Sequence, residues 1–296
     1  MTRRPRPLDR ALGLGLGVAV AGLLAACSPP SPDPGAAATP SATSDPTSPE
    51  DQSPVPPDRA DWPDDASTGV TEGVDLRERT PGTWDASSTA YEGVLVPGDV
   101  TLTGDDVVLR DVRVEGHLLV TGDSVVLENA EVATLSISGA TNVTVRSTEV
   151  FGLEGEDGIH LTSDRGRVAD IVIEDSWIHS PKVTESSHYD GIQVRGVDRL
   201  TFRGNAVELG PHTPELNAAV FLEQANGDNF DVVIEDNWLD GGGFPLYLSG
   251  TGVTVAGNVI GPARGYGLVY PDAEPQDLVQ DGNVLGEDGA AATLEW

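Results

Sequence analysis

Two short segments carry the side chains best suited to chemistry. Asp157-Gly158-Ile159-His160 and His188-Tyr189-Asp190-Gly191-Ile192-Gln193 each set a carboxylate directly before Gly-Ile, with a histidine close by. Two carboxylates held together act as an acid/base or nucleophile/acid pair on a glycoside. With further oxygen neighbours they hold calcium instead, and a histidine beside them acts as the base of a β-elimination. Asp157, His160, His188 and Asp190 are therefore the candidate catalytic residues. Gln193, Arg195 one outward step further, and the aromatic residues Phe221 and Tyr247 are the candidate substrate-binding residues, because aromatic faces beside carboxylates suit sugar rings. The competing reading is structural: Asp-Gly before a strand is a common turn, in which the carboxylate only bonds the backbone. No metal-ligand set is defined, and calcium is the one cofactor these residue types suggest.

The elements that must position these residues repeat along the chain. An octet recurs as VVLRDVRV from Val107, VVLENAEV from Val125, VTVRSTEV from Val143, IVIEDSWI from Ile171, LTFRGNAV from Leu200, VVIEDNWL from Val232, VTVAGNVI from Val253 and LVQDGNVL from Leu278. Its first and third places are inward residues of a short strand of period two. The fifth place is Asp, Asn, Ser or Gly, most of which tolerate left-handed backbone angles and bend the chain. The sixth is Asn205, Asn237, Asn258 and Asn283 in the last four copies, which predicts an internal asparagine stack that satisfies backbone groups. A second short strand precedes each octet. Repetition of such units predicts an all-β fold, a single-stranded right-handed parallel β-helix of about eight coils.

Equivalent positions on successive coils stack at about 4.8 Å, so the alignment becomes a map. The outward place of the second strand reads Leu95, Leu119, Ser136, His160, Gln193, Phe221, Tyr247 and Val269. His160 should neighbour Gln193, and Asp157 should neighbour Asp190. The spacing between octets grows from 18 to 32 residues in the middle of the chain, and such insertions commonly build a binding face. Trp177 and Trp238 take the seventh, outward place of their octets and read as lateral cover for a loop.

The rest of the chain reads as a delivery system. Arg3, Arg4, Arg6 and Arg10 precede an apolar stretch too short to be a permanent membrane span. It ends Leu24-Ala25-Ala26-Cys27, and Cys27 is the only cysteine in the chain. Residues 1–27 are thus expected to be a lipoprotein signal, with Cys27 lipidated and the protein on the extracellular face of the cell membrane. Residues 28–66, rich in Pro, Ser, Thr and Asp, are expected to be a disordered tether. Residues 67–92 should cap the open end of the helix, and 93–296 should form it. The net charge of −31 with no basic stripe excludes nucleic acid as a partner and sets a barrier to polyuronates unless cations offset it. The expected partner is a polysaccharide, and the expected state a monomer.

Two stretches carry a family resemblance. His188-Tyr189-Asp190-Gly191-Ile192-Gln193 resembles the HxDGIQ motif of secreted actinobacterial right-handed β-helix proteins in the pectate-lyase-like superfamily. Asn237-Trp238-Leu239-Asp240-Gly241-Gly242-Gly243-Phe244-Pro245-Leu246-Tyr247 resembles a Gly-Gly stretch that follows it there, and the octets resemble the coil signature of the same group. The resemblance covers about residues 68–286. It implies polysaccharide lyase, hydrolase or glycan-binding activity. Asp157-Gly158-Ile159-His160 also resembles the Asp-Gly-Ile-His of polygalacturonases, whose Asp-Asp pair, Gly-His-Gly and Arg-Ile-Lys are missing here. The sequence therefore predicts a cell-surface β-helix that binds and cleaves a polysaccharide by elimination or hydrolysis, or a non-catalytic glycan-binding, envelope structural or adhesion lipoprotein with the same surface.

Overall fold

A computed structural model describes residues 55–271 and 274–296. Cys27, the signal segment and most of the expected tether lie outside these residues. Each octet does what its pattern requires. In the strand Val107–Val120, Val107, Leu109, Val112, Val114, Leu118 and Val120 all point inward, each no more than 1 % exposed. The fifth place of every octet has a positive φ: Asp111, Asn129, Ser147, Asp175, Gly204, Asp236, Gly257 and Gly282. That left-handed residue turns the strand from one face to the next, and its cost in Asp, Asn or Ser is tolerable because their short polar side chains bond locally.

The result is a right-handed parallel β-helix with three faces. On the first, the ladder face, the outward column runs Glu92, Arg110, Glu128, Arg146, Glu174, Arg203 and Glu235. On the second, the strap face, strands from Arg77–Glu78 to Val284–Leu285 stack in ten rungs. The third, the trough face, holds His160, Gln193, Arg195, Phe221 and Tyr247 of the predicted site. A single core of Val, Ile and Leu fills the interior from Trp84 to Leu294. At the corner between the ladder and strap faces stand Asn205, Asn237, Asn258 and Asn283, at most 5 % exposed. Each offers Oδ1 to the backbone N–H of the preceding coil's residue at that place and donates Nδ2 to a carbonyl, as in Asn237 Nδ2 to Phe202 O at 2.9 Å. The predicted asparagine stack is present, and Ser176 and Thr148 extend it upward.

Three boundaries differ from expectation. Arg77–Glu78 pairs with Val94–Leu95 and Gly82–Trp84 with Val100–Leu102, so much of the expected cap is itself a first coil. Its end is closed by Arg79, whose guanidinium sits 4.7 Å from the ring centres of both Trp84 and Tyr91. The far end is plugged by Ala292 and Leu294, the latter tied to Gln280 through both its N–H and its carbonyl. Finally, residues 58–71, expected partly as tether, form a strap. Arg59 grips Glu208 with two hydrogen bonds of 2.7–2.8 Å, and Trp62 packs on Trp238 at 5.7 Å and donates to Asp236 O. Trp238 thus does serve as a docking surface for a loop. The strap then climbs the side of the helix, with Gly69, Val70 and Thr71 bonding Ser147, Glu131 and Asp111 in turn.

Candidate functional site

The trough face is built by strands that enter after long connections. Residues 151–158, 180–188, 209–215 and 241–245 rise on one rim, and 163–167 and 224–229 on the other. The insertions noticed in the sequence therefore flank this face on both sides. Between them the outward column reads Thr83, Thr101, Leu119, Ser136, His160, Gln193, Phe221 and Tyr247 in continuous register. His160, Gln193, Phe221 and Tyr247 are consecutive neighbours, as the spacing predicts. Two members of the predicted column move. Leu95 pairs with Arg113 on the strap face, and Thr101 takes its place. Val269 pairs with Leu246 and is buried, so the outward position on the last rung is Tyr270.

That one-residue shift completes an aromatic cluster. Tyr247 and Tyr270 stack in parallel with centres 4.5 Å apart and planes 8° apart. Phe221 meets Tyr247 edge-on at 5.3 Å, and Phe244 joins Tyr247, Tyr266 and Tyr270 at 5.3–5.8 Å. Three of the five tyrosines and two of the five phenylalanines gather here. Tyr266 is 66 % exposed, where an isolated core would have buried it. Beside the rings lies a cleft of about 320 Å³ lined by Phe221, Glu223, Gln224, Tyr247, Ser249 and Tyr270. Burial and the neighbouring Tyr270 push the Tyr247 hydroxyl up to about 12, so it remains a hydrogen-bond donor at neutral pH.

Polar groups continue the face upstream. Arg195 Nε lies 2.8 Å from Glu223 Oε2 as an ion pair, without the alignment of a hydrogen bond, and its Nη1 is 3.6 Å from Asp164. Gln193 donates to Glu223 at 3.4 Å. Asn226 bridges Asp164 and Thr162; its bond and that of Thr162 hold the Asp164 carboxyl below its usual range. Arg195 is thus balanced by two carboxylates. Burial first, and then Arg195, depress the His160 pKa, and its Nε2 is buried with no partner.

The remaining predicted residues sit apart from this row. Asp157 and Asp190 are neighbours on adjacent coils, at the corner where the strap face meets the trough. Asp157 Oδ1 accepts the backbone N–H of Asp190 at 2.9 Å. Asp190 is 1 % exposed and accepts from Asn217 Nδ2 at 2.9 Å. Burial pushes Asp157 up to about 6, against the pull of the Asp190 amide. It pushes Asp190 well above the carboxylate range, with the nearby Asp157 charge adding to the effect. Tyr189, buried beside them, has a hydroxyl with no partner and a raised pKa from the same burial. The glycines of the motif have a packing cause: a Cβ on Gly158 would lie 2.6 Å from Gly191 O, and one on Gly191 2.7 Å from Ala219 O. His188 is exposed on the rim. Among the described residues, no group of three or more His, Cys, Asp or Glu side chains converges to hold a metal.

Several residues of this face went unnoticed in the sequence. Glu223 follows Phe221 by two and shares its outward parity, which was a usable signal. Tyr270, Phe244 and Tyr266 had none beyond their type. His117, whose Nε2 is 2.7 Å from Ser136 Oγ, is brought there by a diagonal between coils that alignment of equivalent positions does not display.

No family model matches the chain, and no curated protein matches it. Among solved structures it is similar to mutants of the tailspike protein of E. coli bacteriophage HK620 in complex with a pentasaccharide. One is 12 % identical, over 74 % of this chain and 64 % of its own length, with a TM-score of 0.25. Another is 12 % identical, over 76 % and 66 %, with a TM-score of 0.22. This chain spans less than two thirds of either. At such identity a likeness concerns the fold alone, and at such scores it carries no argument about the site.

Proposed function

We propose that the trough face is a binding surface for a neutral polysaccharide. The observation that carries this reading is the aromatic cluster of half-buried Phe221, Phe244 and Tyr247 with exposed Tyr266 and Tyr270, beside a cleft bearing Glu223 and Gln224. Sugar rings lay their C–H faces on aromatic rings and bond their hydroxyls to planar polar groups at the edge. A net charge of −31, and an Arg195 already paired, oppose a polyanionic ligand. Binding takes precedence over cleavage by the Asp157/Asp190 pair, because the one oxygen of each that the hydrogen bonds engage braces a neighbouring coil. Lipidation at Cys27 and display on the outer face of the cell membrane belong to the same proposal and rest on the Leu24-Ala25-Ala26-Cys27 segment.

The test is affinity electrophoresis against neutral and uronate polysaccharides, with and without calcium, using the wild type and Tyr247→Ala. Retardation by a neutral polysaccharide that Tyr247→Ala abolishes is the expected result. A wild type that no neutral polysaccharide retards, or that prefers uronates, overturns the reading. Metabolic acyl labelling lost in Cys27→Ser is the expected result for the anchor.

A further inference from the structure

We propose that Ser136 and His117 form a nucleophile–base dyad on the trough face that hydrolyses esters, its substrate class being O-acyl groups on a glycan; the glycan part rests on the binding reading above. His117 and Ser136 lie on adjacent rungs, offset by one diagonal, since Thr134 is opposite His117 and Leu119 is opposite Ser136. Both point outward, because Leu118, Leu135 and Ile137 between them are fully buried. His117 Nε2 is 2.7 Å from Ser136 Oγ. With the ring proton on Nδ1, Nε2 accepts the Oγ–H bond, which is the arrangement that activates a serine. Ser136 is 8 % exposed, and its outward neighbours Leu119 and His160 are half-buried, so substrate reaches the hydroxyl through the gap between these two side chains only if they part, which labelling of the serine tests.

The next rung supplies the other requirement. His160 stands directly opposite Ser136, and its Nε2 is buried with no partner. A polar atom left in that condition is costly to the fold. Burial and Arg195 favour the neutral imidazole. A turn of that ring that brings its protonated Nε2 out to the trough would let it donate one hydrogen bond to an oxyanion formed beside Ser136.

The chemistry balances without a cofactor. Ser136 Oγ attacks the acyl carbon while His117 Nε2 takes its proton. The acyl C–O bond breaks and His117 returns the proton to the departing sugar oxygen. Water, deprotonated by His117, then attacks the acyl-serine, releases the carboxylic acid and restores Ser136. Ester and water give acid and alcohol. Phe221 lies three rungs away, about 14 Å at the usual rung spacing, so a sugar chain stacked on the aromatic rings and lying along the trough reaches the serine.

The experiment treats the protein with a fluorophosphonate probe, locates the label by peptide mass spectrometry, and follows 4-nitrophenyl acetate hydrolysis. Label on Ser136 and a burst of nitrophenol are expected, both lost in Ser136→Ala. In His117→Gln, which keeps a hydrogen-bonding group beside the hydroxyl, hydrolysis should fall by about a hundredfold or more. A folded wild type that takes no label at Ser136, or hydrolysis that survives Ser136→Ala, overturns the dyad. Acetate release from acetylated xylan that Ser136→Ala removes extends the activity to glycans, and a labelled serine with no release from acetylated polysaccharides overturns that part. Neither small probe carries a sugar, so failure of polysaccharide binding leaves the dyad result intact, and failure of the dyad leaves binding intact.

Discussion

The ladder face and the trough face are made by the same octet repeat, yet their outward columns solve opposite problems. On the ladder face the charge alternates rung by rung from Glu92 to Glu235. Arg110 bonds both Glu92 and Glu128, Arg146 bonds Glu128, and Arg203 bonds Glu174 at 2.6 Å. Every cation in that stretch has an anion one coil away, and the face is self-satisfied. On the trough face the column passes from serine through histidine and glutamine to exposed tyrosines. It keeps a buried imidazole nitrogen without a partner, and ring surfaces in water. A repeat can stack indefinitely on the first pattern. The second gains nothing for the stack, which is why function is assigned to it.

Three measurements break or sharpen this contrast. The largest effect should come from pH. Asp157, on the trough side, is pushed to about 6, above the unfolded value near 4. Its stability contribution is therefore complete below about pH 4 and lost as pH rises through 6, about 3 kcal/mol for that group. Asp190 shifts the same way. On the ladder face burial raises Glu128, but Arg146 and Arg110 overcome it and hold the carboxyl low. Its contribution is present above the unfolded value and lost as pH falls. Urea midpoints from pH 4 to 8 should decline for the wild type and decline less steeply in Asp157→Asn, in which Asp190 still titrates; a wild-type midpoint that rises with pH would contradict the assignment.

Next in size is Tyr270→Ala, which removes one partner of the parallel ring stack. Polysaccharide affinity should fall about tenfold, or roughly 1.4 kcal/mol, while the melting temperature stays nearly constant because Tyr270 is 40 % exposed. Titration calorimetry and thermal melting separate the two. An equal loss of stability would make the cluster a structural element like the ladder. The smallest effect belongs to Arg146→Ala. Glu128 keeps Arg110, so the cost should be about 1 kcal/mol and shrink in high salt. Polysaccharide affinity should not change, and a change would show that the two faces are coupled.

Much of this contrast can be read from the sequence, because period two sets which side chains face in and the fifth octet place sets where the chain bends. The fourth octet place even spells the ladder, from Arg110, Glu128 and Arg146 to Glu235. What period two leaves open is which of three faces a strand joins, so it puts Leu95 on the trough when its strand pairs on the strap face. Leu268-Val269 offers two adjacent apolar residues for one inward place, and only an isolated bridge fixes the register there, so the pattern alone does not tell which of them faces in. The burial of Asp190 follows from a register shift between Tyr189 and Asp190 and from Asn217, neither of which its Asp-Gly turn reveals. Arg59 and Trp62 have partners 149 and 174 residues distant, while their surroundings have the composition of a tether.

The strap also decides how the domain bears force. A parallel solenoid pulled at its terminal coil unzips, because each rung meets the load alone and exposes the next. Here tension arriving from the N-terminal side reaches the Arg59–Glu208 grip and the Trp62–Trp238 contact first, several rungs below the first coil. It is then shared along Gly69, Val70 and Thr71 before Arg77–Glu78 feels it. The strap works as strain relief on a cable, placing the tug on the middle of the stack and sparing the edge where peeling would begin.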